Sequence, residues 1–188
     1  MKKLLLLFFV AFVCTNTMGQ LVFKGVPMTG TVDNFVEELW NRGGLGIYER
    51  SKGRVWMKGD FAGYTNCQIV ISPIEGKNLI NSVLVKFPTC YNWQCLISKY
   101  TELKEMLITK YGTPSSIVEK FNAGYIDDSQ KIKEINYGRC SWYTLFNTSQ
   151  GTIKLAIATH ILNSAVVIIE YTNKTGVNNN KATAIEDL

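Results

Sequence analysis

One histidine occurs in 188 residues, along with four prolines and fifteen glycines. Too little glycine and proline is present for a low-complexity or collagen-like chain. With a single imidazole, any Ser-His-Asp or Cys-His arrangement would have to pass through His160, and no nucleophile motif accompanies it. Neither G-x-x-x-x-G-K-[ST] nor G-x-G-x-x-G occurs, so no phosphate cradle is signalled. No C-x-x-C pair exists, which removes the usual zinc and thioredoxin-type spacings. No run of five basic residues accompanies the net charge of +5, so nucleic acid is not an expected partner. Beyond Val13 no apolar stretch is long enough to span a bilayer. No cofactor is expected. The 46% of hydrophobic residues suits a single globular domain, and it excludes a disordered chain.

What is present begins with an address. Met1-Lys2-Lys3 is a positive start, Leu4 to Val13 is unbroken and apolar, and Thr17 and Gly19 are small at the −3 and −1 positions. This pattern predicts a signal peptide over 1–19, cleaved before Gln20, and a periplasmic or secreted mature protein. Cys14 offers a lipoprotein alternative, against which the bulky Val13 argues. From Asn173 the chain turns polar, and 174–188 reads as a flexible tail.

Export permits disulfides, and Cys67, Cys90, Cys95 and Cys140 allow three full pairings. The short Cys90–Cys95 spacing beside a helix start favours a local staple. Strand alternation places Cys67 toward the core and Cys140 on the opposite face, which disfavours joining them.

Thr31 can cap a helix with Val32, Phe35, Val36 and Leu39 on one stripe, ended by Gly43-Gly44. A longer helix is predicted from about Asn92 to Tyr111, with Trp93, Leu96, Ile97, Tyr100, Leu103, Leu107 and Ile108 on one stripe and Gly112 as its stop. Four strand signals follow each helix, the second set being Ser116 to Asn122, Ile135 to Asn147, Thr152 to His160 and Ser164 to Asn173. The expected fold is α+β. Two related helix-plus-four-strand units, about 20–88 and 89–173, would form one antiparallel sheet within a single domain 20–173, with helices on one face. Asn122 to Gly138 holds the extra length of the second unit and reads as a polar loop.

Phe23-Lys24-Gly25-Val26-Pro27-Met28-Thr29-Gly30 and Gly59-Asp60-Phe61-Ala62-Gly63-Tyr64 resemble phrases in a group of small uncharacterised exported proteins of Gram-negative anaerobes. The layout is similar to the beta-lactamase-inhibitor-protein-like fold, although one dominant helix per unit replaces a helix pair. The resemblance implies a fold. It implies no inhibitory activity, because function resides in sites grafted on folds.

Asp127-Asp128 is the closest carboxylate pair, but a polar loop supplies no burial to raise either pKa for acid catalysis. Together with Glu134 it also misses EF-hand calcium spacing. The expectation is therefore a non-enzymatic binding module whose partner is a protein or an envelope component. A carbohydrate-binding protein using exposed aromatics is the alternative. Taking Phe61 and Tyr143 as equivalent puts Trp56, Lys58, Asp60, Cys140 and Trp142 together on the face away from the helices. The contact candidates are Trp56, Trp142, Tyr125, Asp127 and Asp128, the last three on the extra-length segment.

Overall fold

Thr31 does cap the first helix, α1 (Val32–Asn41): its side chain accepts from the Asn34 amide. Val32, Phe35, Val36 and Leu39 are buried, so the predicted stripe is the packed stripe. Asn92 caps α2 (Trp93–Tyr111) by accepting from the Cys95 amide, and Gly112 at φ 79° ends it. The computed structural model describes residues 21–161 and 163–174. The expected signal peptide with Cys14, and the tail beyond Lys174, lie outside the described residues. No helix among the described residues is long and apolar enough to cross a membrane.

Ahead of α1 stands a short hairpin, β1 (Val22–Phe23) and β2 (Val26–Pro27), turned by Lys24 and Gly25, both with positive φ. Two successive left-handed residues are what a two-residue hairpin turn needs, and glycine supplies one without strain. After α1 come β3 (Leu45–Ser51), β4 (Arg54–Phe61), β5 (Tyr64–Pro73) and β6 (Ile80–Lys86). After α2 come β7 (Ser116–Phe121), the helix α3 (Asp128–Asn136), β8 (Cys140–Thr148), β9 (Gly151–Thr159) and β10 (Ala165–Asn173).

The eight long strands form one antiparallel sheet in the order β3-β4-β5-β6-β10-β9-β8-β7. Two four-strand meanders therefore meet at their last strands, β6 beside β10. The three helices among the described residues pack on the same face of the sheet, α1 over β3 to β5, and α2 and α3 over β9 and β10. The side chains beneath them alternate along each strand, as a half-covered antiparallel sheet requires: Val83 and Val85, Val167 and Ile169, Ile153 and Leu155 are all fully buried. Phe23 of the hairpin stacks on Phe61 at 5.1 Å and meets Tyr171 edge-on at 5.5 Å, closing the core between α1 and the sheet centre.

Two expectations for the second half are corrected. The segment Asn122 to Gly138 is not a polar loop, and the strand expected to open at Ile135 begins at Cys140. Asp127 accepts from the Ser129 amide at 2.9 Å and starts α3, whose Ile132 and Ile135 bury against the core. Asp127-Asp128-Ser129-Gln130 carries the spacing of a helix start, with a capping carboxylate followed three residues later by Gln.

Cys90 and Cys95 are joined. Closing so short a loop removes unfolded-state entropy, and the chain-entropy relation gives about 2 kcal/mol. Cys95→Ala should therefore lower the unfolding free energy by about 2 kcal/mol in urea without reductant, and reduced wild type should fall to the same midpoint. An unchanged midpoint would show that the staple contributes nothing to stability. Cys67 and Cys140 are unpaired. The face expected for Cys140 is corrected, since Cys140 and Cys67 lie on the same, helix-bearing face. Distance separates them: four inter-strand spacings from β5 to β8, roughly 19 Å, against the ~7 Å a disulfide tolerates.

Candidate functional site

The ladder registers define the residues on the face without helices. One row runs across the sheet through Glu49, Trp56, Val70, Leu84, Glu170, Lys154 and Leu145. The next runs through Lys58, Gln68, Lys86, Ile168, Ala156 and Tyr143. On the other side of the first lies a row of small hydroxyls, Ser72, Ser82, Thr172 and Thr152. Among the described residues no segment covers this face.

Its chemistry is mixed. Trp56, Leu84, Ile168, Tyr143 and Leu145 are each partly exposed, although flanking side chains shield Val70 and Val166 almost completely. Lys58, Lys86 and Lys154 stand among them, and none is within ion-pair reach of a carboxylate among the described residues. Lys154 instead lies 5.2 Å from the Tyr143 ring centre, a favourable ammonium-on-ring contact. From Trp56 on β4 to Tyr143 on β8 is five strand spacings, roughly 24 Å. An apolar stripe of that length with a basic rim is suited to contact with another surface. It has no converging acid, base and nucleophile.

Trp56 stands on this face, where it was expected. Trp142 does not, and its assignment is corrected. Trp142 points under the helices, where Trp93 of α2 meets it edge-on at 5.0 Å and Phe121 lies 5.3 Å away. Lys131 of α3 completes the cage, 4.7 Å from the Trp93 ring. The cause is a one-residue error in the equivalence of β4 and β8, which inverts every side chain of the strand. Tyr143, not Trp142, belongs to the open face. The register of β8 is set by Thr144, which is fully buried and hydrogen-bonded to the Tyr100 hydroxyl at 2.7 Å.

The extra-length segment carries its candidates elsewhere. Tyr125 is 95% exposed just before α3, and Asp127 and Asp128 sit in its first turn. All three are on the helix side of the molecule, so the structure does not bring them together with Trp56. The Asp127 carboxyl is held below the ordinary carboxylate range by the Ser129 hydroxyl and amide. It is ionised at neutral pH, and its bonds are those of a helix cap. Asp128 pairs with Lys131 at 2.6 Å.

Sequence reasoning passed over the ionisable groups at the edge of the core. Lys99 is buried and donates to the Pro88 carbonyl at 2.5 Å, with its ammonium 5.4 Å from the Tyr64 ring. Burial lowers its pKa. Beside it burial raises the Cys67 thiol pKa, so the sulfur stays protonated and a poor nucleophile. Tyr64 donates to Glu102 at 2.5 Å. Position i, i+3, i+4 on the α2 stripe was the available signal for Lys99, a lysine between Leu96 and Leu103. His160 follows β9 and is exposed.

The fold and the face define an α+β protein with a one-sided helical layer and an open antiparallel sheet. No protein-family model, curated protein or solved structure matches this chain.

Proposed function

We propose that this chain is an exported, non-enzymatic interaction module that engages a protein partner through the helix-free face of its sheet. The observation that carries the reading is the set of partly exposed apolar side chains, Trp56, Leu84, Ile168, Leu145 and Tyr143, in two adjacent rows of a face that no described segment covers. Contiguous apolar surface of this extent on a folded chain marks contact sites, and tryptophan is over-represented among residues that dominate binding energy. The Cys90–Cys95 bond suits an oxidising compartment, in keeping with the N-terminal address read over 1–19. The same proposal extends to ancestry. A helix leading a four-strand meander occurs in each half, which supports two related units arranged like the beta-lactamase-inhibitor-protein-like fold.

Trp56 supplies the test. A photo-crosslinking residue at Gln68, on the open face, should give a discrete adduct in envelope extract of the source cells, and one at Lys110, on α2, should not. Trp56→Ala should weaken that capture by about tenfold or more while unfolding stability changes by less than about 1 kcal/mol. Equal labelling from both faces, or capture indifferent to Trp56→Ala, would overturn the proposal.

A further inference from the structure

A second surface, independent of the sheet face, lies where the N-termini of α2 and α3 approach each other. A cleft of about 410 Å³ opens there, lined by Tyr91, Asn92, Asp128, Gln130, Lys133 and Asn163 among others. Its volume is within the range of ligand sites, roughly 300–1,000 Å³.

Tyr91 is the unusual member. It is 71% exposed and stacks on no other aromatic among the described residues, yet the backbone on either side of it is tied down. On one side Cys90 exchanges two backbone hydrogen bonds with Ala165, at 2.9 and 3.0 Å, tying the loop to the start of β10. On the other side Asn92 caps α2, accepting from the Cys95 amide at 2.8 Å. The Cys90–Cys95 bond then closes the segment covalently around Tyr91. A large ring is thus displayed in water on a frame that cannot collapse to bury it. Because the loop is already ordered, only the ring's own two torsions remain to be fixed on binding.

The other cleft residues narrow the ligand class. The Asn92 Oδ1 is occupied by the cap, which leaves its amide NH₂ to donate. Gln130 and Asn163 can each donate and accept, Asp128 accepts, and Lys133 donates. An inorganic anion is disfavoured because the Asp128 carboxylate, paired through one oxygen with Lys131, lines the same cleft. An aliphatic ligand is disfavoured because only the Tyr91 ring and the nearly buried Ile132 offer apolar surface. Sugars present both halves of the match: a ring face of C–H groups that stacks on an aromatic, and hydroxyls that donate and accept at once.

We infer that the cleft between the N-termini of α2 and α3 is a saccharide-binding subsite, with Tyr91 as the stacking platform and Asn92, Asp128, Gln130 and Asn163 as hydroxyl partners. The test uses the ¹⁵N-labelled chain titrated separately with chitotriose, cellotriose, maltotriose and inorganic phosphate. At least one trisaccharide should shift the Tyr91, Asn92, Gln130 and Asn163 amides saturably, at millimolar concentration, and phosphate should not. Tyr91→Ala should weaken that binding by about tenfold or more, and Tyr91→Trp should keep it within about threefold, because stacking needs a ring and not a phenol. Trp56→Ala should leave it unchanged, which separates this site from the sheet face. Absence of shifts with all three sugars, shifts that survive Tyr91→Ala, or equal shifts from phosphate would overturn the inference.

Discussion

Trp142→Ala should destabilise the protein by about 3–5 kcal/mol, as large-to-small changes of a caged aromatic do. The ring fills the space between β8 and the start of α2, held by Trp93 at 5.0 Å and Phe121 at 5.3 Å. Removing it leaves a void lined by those two rings, beside Lys131, whose ammonium lies over Trp93. α2 cannot easily close the gap, since the Cys90–Cys95 bond pins it at that end. Urea unfolding monitored by circular dichroism measures the loss, and Trp142→Phe should recover more than half of it. Trp56→Ala is the paired control on the open face. A cost below about 1 kcal/mol for Trp142→Ala would show that the cage is not part of the core.

Gly59→Ala should cost about 3 kcal/mol or prevent folding, the upper end of what added core volume does. A Cβ built on Gly59 falls 1.9 Å from the Gly44 carbonyl oxygen and 2.8 Å from a Leu45 methyl. The carbonyl is backbone and cannot swing aside, and the Leu45 methyl belongs to a buried side chain. The Gly44 carbonyl also accepts from the Asp60 amide, so moving it breaks the entry of β3 into the sheet. The ladder between β4 and β5 shifts register at this point, between Gly59 and Phe61, which brings the β3 entry close against β4. Gly46→Ala, whose Cβ would meet only the Lys58 carbonyl at 4.0 Å, should be nearly neutral by the same unfolding measurement. Equal effects at the two glycines would refute the steric account.

Stretches governed by neighbours a few residues away were legible without coordinates. Thr31 and Asn92 cap their helices because a side-chain oxygen reaches an amide three residues on. The stripes of α1 and α2 follow from a 3.6-residue period and nothing more distant. Cys90 and Cys95 could pair because five positions of separation at a helix start already bring them close. Trp56 was placed on its proper face by its spacing from Phe61, and the strand keeps that parity, Val55 and Met57 being buried and Lys58 exposed.

Where neighbours across the sheet decide, sequence was silent or misleading. In β8 both parities are apolar, Trp142 and Phe146 against Tyr143 and Leu145, so alternation could not choose a face. The choice falls to Thr144, whose hydroxyl is buried only because Tyr100, forty-four positions away, bonds to it. α3 has two buried apolar side chains, too few for a stripe to announce it, and it is stabilised by α2 and the sheet rather than by its own propensity. The cleft beside Tyr91 joins residues from three separate stretches of the chain. Local order was thus determined by the sequence itself, through caps, periodicity and short spacings. Strand facing, the docking of α3 and both candidate surfaces were decided only in the tertiary structure, because their partners lie far apart along the chain.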